Sequence, residues 1–413
     1  MKDRSKKNRY VILAVGVLVN ICLGLLYSWS KFTLAIKTDL GFTQTQVTLA
    51  YTICMCMFTL GILTDSIISK KIPSRICAII SMILCSCGYM FSSLVTAQTR
   101  YLIYLTYGVF AGLGIGMTYN IWLSNITSWF PDKRGTAVGI LLLGMGLSGL
   151  TTMPVAAKLA EKFGWRKSFI FIALLFFIVG IISLFFLKKS SDIKQNNDAG
   201  ISYAELTRKE MIREPAFWTF ALWKLVLISL GQAIIGQVSP IIFDAGGGNN
   251  IQLMAISAFT LFNGLARLLW GYCCDKAGVI RTMAFVACVG LLSQLILATS
   301  LHNKNVSWTV LALVLTALCY GGATALNGTY ISTVFGIRNY RSNNGYSSLT
   351  SLPANLGATS IIAVVKSSTG SYISFIIAAI PAILIALYMS YLSQKGLTRI
   401  KMHSSEELFQ NKG

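Results

Sequence analysis

The sequence of 413 residues is 54% hydrophobic and only 12% charged, with a mean hydropathy of +0.65. Because about a quarter of the residues in a soluble domain are charged, this composition excludes a soluble enzyme or binding domain and is typical of a membrane protein. The formal net charge of +21 does not indicate nucleic-acid binding, because the basic residues lie between apolar runs and not along one amphipathic surface.

Six apolar segments occupy the first part of the chain. A membrane-spanning helix needs about 20 apolar residues, and the segments lie at about 10–36, 45–68, 75–97, 101–129, 135–160 and 166–187. The first segment is too long for a secretory signal and has no small-residue cleavage site after it, so it is predicted to be an uncleaved span. In the fourth segment Gly108, Gly112 and Gly116 repeat at helical spacing, which predicts close contact with another helix.

A polar stretch separates these segments from six more. It contains Lys-Lys-Ser-Ser-Asp and Gln-Asn-Asn-Asp, and its part from Tyr203 to Arg213 has the pattern of a short helix on the membrane surface. Pro215 then opens the seventh segment at a first-turn position. The later segments lie at about 216–243, 250–274, 282–301, 306–333, 343–365 and 371–393.

These segments predict an all-α membrane protein with twelve transmembrane helices. The predicted parts are an N-terminal six-helix half at 1–187, a cytoplasmic linker at 188–215, a C-terminal six-helix half at 216–395 and a cytoplasmic tail at 396–413.

Lys and Arg residues are concentrated at both ends of the chain and in alternate loops, such as 70–75, 133–134, 188–213, 276–281 and 338–341. By the positive-inside rule these loops and both termini are predicted to be cytoplasmic, in a multi-pass protein of the plasma (inner) membrane. The basic cluster at 158–167 is an exception to this pattern.

The two halves share a motif at the end of their second helix. Gly61-Ile-Leu-Thr-Asp65 closes the second segment, and Gly271-Tyr-Cys-Cys-Asp275-Lys276 closes the eighth. Basic residues follow both motifs. Their equivalent positions indicate that the protein is a duplication of two pseudo-symmetric six-helix halves.

The repeated halves, the Gly-x-x-x-Asp-Lys-x-Gly loop and the long linker resemble the major facilitator superfamily over nearly the whole chain. Further motifs are similar to those of the oxalate/formate antiporter family within it: Tyr27-Ser-Trp29-Ser, Gly112-Leu-Gly-Ile-Gly116-Met-Thr-Tyr119, Trp129-Phe-Pro-Asp132-Lys-Arg134-Gly135, Glu214-Pro-Ala-Phe-Trp218 and Gly264-Leu-Ala-Arg267. The resemblance implies the major facilitator fold and the transport of a small organic anion by alternating access, with no cofactor.

The motifs at the predicted cytoplasmic helix ends are interpreted as conformational gates. Contacts between helices at these ends stabilise one state of a transporter and break when the cytoplasmic side opens. The predicted gating residues are Gly61, Asp65, Gly271, Asp275, Lys276, Asp132 and Arg134.

Arg267 is a basic residue deep inside a predicted span. It lies eight residues before Asp275, which places it about 12 Å from the helix end and near the membrane midplane. A guanidinium at that depth costs several kcal/mol and keeps its proton. It either contacts helix carbonyls or a carboxylate of another helix, or it binds a substrate carboxylate through paired charge-assisted hydrogen bonds; we favour the second interpretation.

Further candidates accompany Arg267. Lys224 lies two turns inside the seventh segment and is predicted to snorkel or to serve a cytoplasmic gate, with direct binding of the substrate as the alternative. Aromatic residues at positions that match cavity-lining positions of the family are candidates for substrate contact, with helix packing as the alternative. They are Tyr27, Trp29, Tyr119 and Tyr320.

Ser351 stands where the oxalate-binding members of the family carry a lysine, their second cation. A dicarboxylate at a site with one cation leaves one charge desolvated and unpaired. A monocarboxylate such as formate, lactate or pyruvate is therefore expected, with Ser351 among the residues at the site. The acidic residues and the two histidines lie outside the middle of the predicted spans, which favours exchange or facilitated diffusion over proton coupling.

Rival functions are an exporter of another small molecule or drug, a non-transporting sensor on the same fold and an integral-membrane enzyme. The sequence has no His-x-x-His pair, no acidic metal cluster and no Gly-x-Ser-x-Gly elbow, so neither enzyme activity nor a metal is expected. The expected partners are a small organic anion and the lipid bilayer, without nucleic acid, and the protein is expected to be a monomer.

Overall fold

A computed structural model of the protein describes residues 2–187 and 204–410. The predicted linker residues 188–203 lie outside this part of the chain. The helices in chain order are α1 (Lys2–Leu23), a 3-10 turn (Gly24–Ser28), α2 (Trp29–Leu40), α3 (Gln44–Ile68), α4 (Ser74–Ser93), a π helix (Tyr104–Ala111), α5 (Gly112–Trp129), α6 (Arg134–Leu147), α7 (Thr152–Leu184), α8 (Arg208–Arg213), α9 (Pro215–Ile235), α10 (Val238–Asp244), α11 (Asn249–Ala277), α12 (Val279–His302), α13 (Val306–Val334), α14 (Tyr340–Leu349), α15 (Leu352–Thr369) and α16 (Ile373–Gln410).

The helices accommodate all the predicted membrane spans. Within the described residues ten helices are long and apolar enough to cross a membrane, and one of them, Arg134–Leu184, runs over 51 residues. That stretch holds the fifth and sixth predicted segments, which are divided at Gly164, where φ is 82°. The fourth predicted segment falls on the π helix and α5. The predicted all-α membrane fold is confirmed.

The chain forms two compact units. The described residues of the first are 2–131, 140–187 and 344–349, and those of the second are 132–139, 204–343 and 350–410. The first unit thus includes the short segment 344–349 from the C-terminal part of the sequence, and the second unit includes the short segment 132–139 from the N-terminal part. These segments belong to α6 and α14.

The glycine ladder of the fourth predicted segment packs against α3. A Cβ atom placed on Gly112 would lie 2.6 Å from the carbonyl oxygen of Cys54, and one on Gly116 would lie 2.0 Å from that of Phe58. Because only glycine leaves room for this approach, the predicted close helix contact is confirmed.

The first and seventh predicted spans are both interrupted. In the first, the 3-10 turn separates α1 from α2, and a Cβ on Gly24 would lie 2.7 Å from the carbonyl oxygen of Met145. In the seventh, α9 ends at Ile235 and α10 begins at Val238. Pro215 lies in the first turn of α9, as predicted.

An ion pair lies at the C-terminal end of each interrupted span. Asp39 in α2 pairs with Arg166 and accepts a hydrogen bond of 3.0 Å from Trp165 Nε1. Asp244, the last residue of α10, pairs with Lys366. The contact with Asp39 gives Arg166, a member of the basic cluster at 158–167, a structural role that the charge pattern alone did not explain.

Candidate functional site

Arg267 lies inside α11, and its side chain is 5% exposed. A Cβ atom on Gly139 of α6 would lie 2.5 Å from the carbonyl oxygen of Arg267. A side chain larger than hydrogen at position 139 therefore does not fit, and α6 and α11 cross with their backbones in contact at this level. The crossing holds the helix that carries the guanidinium.

Lys224 is buried in α9 and does not snorkel. Its side chain is 1% exposed, and Nζ donates a hydrogen bond of 2.9 Å to Oδ1 of Asn327 in α13. The same Nζ lies 5.8 Å from the centroid of the Phe220 ring. The expectation that this ammonium reaches the membrane surface is wrong, because Nζ is buried inside the second unit and donates its hydrogen bond to an amide oxygen on a neighbouring helix.

Helix α13 packs against both α9 and α11. On the α9 side, a Cβ on Gly231 would lie 2.2 Å from the ring of Tyr320, which is 7% exposed. On the α11 side, a Cβ on Gly321 would lie 2.3 Å from the carbonyl oxygen of Asn263. Glycine on each contact surface allows α13 to pack closely against the helix of Lys224 and against the helix of Arg267.

The predicted aromatic site residues of the first unit differ in their environments. Trp29 is 5% exposed, stacks on Tyr107 with ring centroids 4.1 Å apart, and donates from Nε1 to the carbonyl oxygen of Val47 at 3.2 Å. These contacts are helix packing. Tyr27 lies half-buried in the 3-10 turn, and Tyr119 is half-buried in α5.

Ser351 lies at a break in the eleventh predicted span. It is half-buried and lies between the end of α14 at Leu349 and the start of α15 at Leu352. Ser351 is the N-cap residue of α15, with a φ of −91° and a ψ of −7°. Pro353 is in the first turn of α15, a position that tolerates proline because the backbone N–H has no helical partner there. The residue predicted to stand in place of the family's lysine therefore lies at a helix junction.

The predicted gate around Asp275 is assembled in the second unit. Its carboxylate accepts hydrogen bonds from Gly135 N at 2.8 Å, from Thr136 N at 2.7 Å and from Thr136 Oγ1 at 2.5 Å. A negative charge at these first N–H groups of α6 is stabilised by the helix dipole. Glycines tighten the junction, because a Cβ on Gly271 would lie 2.2 Å from the carbonyl oxygen of Gly135.

The other predicted residues of this gate lie beside the junction. Arg134 is 6% exposed and donates to the carbonyl oxygen of Ser332 at 2.9 Å, near the C-terminal end of α13, where a positive charge is favourable. Asp132 and Lys276 are exposed. The carboxylate of Asp275 and the guanidinium of Arg134 thus connect the start of α6 to two helices.

The equivalent motif in the first unit has different contacts. Asp65 is 0% exposed, and its Oδ2 accepts a hydrogen bond of 2.8 Å from Asn120 Nδ2. Oδ1 of Asn120 accepts a bond of 2.8 Å from Nδ2 of Asn344 in α14. A Cβ on Gly61 would lie 2.3 Å from the carbonyl oxygen of Leu113. The carboxylate accepts a hydrogen bond here from the side-chain amide of Asn120, which in turn accepts one from the amide of Asn344.

Buried asparagines are the functional candidates that sequence reasoning missed. Asn120, Asn327 and Asn344 each bond to a predicted site residue or to one of its partners. The sequence does carry a signal for such residues, which is an amide side chain inside an apolar segment. Because buried polar groups need hydrogen-bond partners, an amide at such a position predicts a polar contact with another helix.

A multi-pass helical protein with an aspartate-bearing helix end in each half and a buried arginine in one of them has features of a membrane transporter. The chain belongs to the Major Facilitator Superfamily, whose sequence profile matches residues 16–358. Members of this family are transport proteins and not enzymes, as the sequence predicted.

Relatives and solved structures agree with this assignment. The chain is 25% identical to the oxalate:formate antiporter of Oxalobacter formigenes, over 90% of this chain and 88% of that protein. It is 27% identical to monocarboxylate transporter 12 of Mus musculus, over 38% of this chain and 32% of that protein. The structure of the proton:xylose symporter XylE superposes with a TM-score of 0.71 at 12% identity and covers 96% of both chains. This last likeness shows the fold alone.

Proposed function

We propose that the protein moves a small organic anion across the membrane by alternating access, and that the anion is a monocarboxylate such as formate, lactate or pyruvate. In this proposal the guanidinium of Arg267 binds the substrate carboxylate. The transport is exchange or facilitated movement down a gradient. The proposed location is the plasma (inner) membrane with both termini in the cytoplasm, as the distribution of Lys and Arg favours.

The observation that carries the proposal is the burial of Arg267 in the interior of α11, with 5% of its side chain exposed. Arginine keeps its charge in proteins, and its fork of donors fits a carboxylate with two parallel hydrogen bonds. A permanent cation inside a membrane helix is unfavourable unless its contacts compensate for the lost water. A transported carboxylate supplies such a contact and explains why a cation is present at this depth.

The proposed charge of the substrate rests on the residue at position 351. Ser351 supplies no second permanent charge, so one carboxylate matches the charge of Arg267 and a dicarboxylate exceeds it. The proteins that resemble this chain include one named for oxalate and formate and others named for monocarboxylates. All of these are small carboxylates, which supports the substrate class.

The test is counterflow of labelled formate, lactate and pyruvate into proteoliposomes. We expect Arg267→Ala to reduce counterflow about 100-fold or more, because truncation of one partner of a buried charged pair costs several kcal/mol. Arg267→Lys should also fail, since an ammonium does not reproduce the fork. Arg281→Ala is the control, because Arg281 is exposed near the start of α12. Near-normal counterflow by both Arg267 variants would show that the proposal is wrong.

A further inference from the structure

Four charged side chains are buried among the described residues: Asp65, Arg134, Lys224 and Arg267. Asp65 and Arg134 lie at the ends of α3 and α6, whereas Lys224 and Arg267 lie inside α9 and α11. The gates and the binding of a carboxylate account for the first two and for Arg267. They leave the buried amine of Lys224 without a function.

Lys224 lies at nearly the same level as Arg267. It follows Pro215, the first residue of α9, by nine residues, which corresponds to about 14 Å along the helix. Arg267 precedes Asp275 by eight residues, or about 12 Å. Asn327 precedes the end of α13 at Val334 by seven residues, or about 10 Å. All three side chains therefore belong to one layer of the second unit.

Contacts of α13 with α9 define the face on which Lys224 lies. Gly231 of α9 packs on Tyr320 of α13, and Lys224 bonds to Asn327. In each helix the two contacting residues are seven positions apart, which is two turns, so they share one face. Lys224 therefore belongs to the surface of α9 that packs on α13.

Contacts of α13 with α11 bring Arg267 to the same helix. Gly321 of α13 packs on Asn263, which precedes Arg267 by one turn of α11. Gly321 directly follows Tyr320, the residue that contacts α9. Lys224 and Arg267 thus stand on two helices that pack on adjoining positions of α13.

The bond to Asn327 prepares Lys224 as a donor. A free lysine side chain loses considerable rotamer entropy when a ligand orders it, and this loss is avoided when the side chain is already held. Lysine donates hydrogen bonds as an ammonium and as a neutral amine. A contact to Lys224 therefore requires an acceptor oxygen on the substrate but no second negative charge.

We infer that Lys224 is a specificity-determining residue that donates a hydrogen bond to an oxygen at C2 of the substrate. Asn327 is its positioning residue. The protein then selects 2-oxo and 2-hydroxy monocarboxylates over monocarboxylates without an oxygen at C2. This inference rests on the proposed function, in which Arg267 binds the carboxylate.

The experiment compares pyruvate, lactate and propionate, which share three carbons and differ at C2. Each competes with labelled pyruvate in proteoliposomes, and thermal stabilisation of the purified protein by each acid reports binding without transport. In the wild type, we expect half-inhibition by pyruvate and lactate at concentrations about tenfold lower than by propionate, as one buried hydrogen bond to a charged or polarised donor predicts.

Lys224→Met keeps the length and apolar character of the side chain and removes the donor. We expect the preference for pyruvate over propionate to fall to about twofold or less, since the remaining contact is the carboxylate with Arg267. Asn327→Leu should reduce the preference in the same direction, because Lys224 then loses its position. The control Lys366→Met, at the ion pair with Asp244, should keep the preference of the wild type.

Other results overturn the inference. An equal loss of pyruvate and propionate binding in Lys224→Met means that the lysine supports the structure and does not recognise C2. Stronger competition by oxalate than by pyruvate in the wild type means that Lys224 neutralises a second charge. Failure of the proposed function is distinguishable from both, because then no carboxylate stabilises the wild type or Arg267→Ala binds them all normally.

Discussion

The proposed selectivity of this protein rests on single polar side chains inside apolar helices. Arg267 is recognisable from the sequence because it is a basic residue in the middle of an apolar segment. The burial of Lys224 and its bond to Asn327 depend instead on which face of α9 meets α13. Ser351 is an uncharged residue at the position where the resemblance predicts a lysine. It occupies the N-cap of α15 without a side-chain capping bond, so a longer side chain there removes no capping hydrogen bond.

Ser351→Lys should therefore change selectivity by charge. The added ammonium supplies a second positive group for a dianion and is unfavourable beside a monoanion. We expect the ratio of oxalate to formate affinity to rise about tenfold or more relative to the wild type, as one extra ionic hydrogen bond predicts. Competition of both anions with labelled substrate measures the ratio. If oxalate already competes as well as formate in the wild type, another group supplies the second charge.

Helix ends are the elements to which we assign the proposed conformational gates. The two aspartates that the sequence places at equivalent helix ends make different contacts. Asp275 accepts hydrogen bonds from backbone N–H groups at the start of α6, whereas Asp65 accepts one from the buried side-chain amide of Asn120. Sequence repetition predicted the positions of both. Their partners were not predictable, because the amide of Asn120 and the start of α6 are distant in sequence from the aspartates they meet.

Asp275→Asn should slow exchange and leave affinity nearly unchanged. The substitution removes the negative charge at the start of α6, which stabilises the contact by about 0.3–2 kcal/mol. The conformation that contains this contact becomes less populated, so we expect turnover to fall by about two- to thirtyfold. The Kd for substrate should change by less than about twofold. Glu161→Gln, at an exposed acid of α7, is the control. A large loss of affinity at normal turnover contradicts the gating role.

On the scale of the whole molecule, charge distribution predicts how the chain crosses the membrane. The described helices match the predicted segments, and the protein is a multi-pass membrane transporter. Its orientation rests on the concentration of Lys and Arg in alternate loops. In the predicted topology the basic cluster at 158–167 lies on the non-cytoplasmic side, and the ion pair of Arg166 with Asp39 partly compensates the charge of one of its residues.

Reporter fusions measure this orientation. A green fluorescent protein fused after Gly413 should fluoresce, because it folds in the cytoplasm. A fusion truncated after Lys304, between α12 and α13, should be dark and should be active with a periplasmic phosphatase reporter instead. The reverse pattern at the two sites contradicts the predicted topology.

The sequence by itself determined the fold class, the number and positions of the spans, the close packing of the glycine ladder and the position of Arg267 inside a span. These properties depend on hydropathy and on residue spacing along one helix, which are local. The tertiary structure decided that Trp29 stacks on Tyr107, that Lys224 bonds to Asn327 and that Asp65 lies buried against Asn120. Each of these contacts joins residues on different helices, and a pattern within one helix does not state which neighbour its polar or aromatic face will meet.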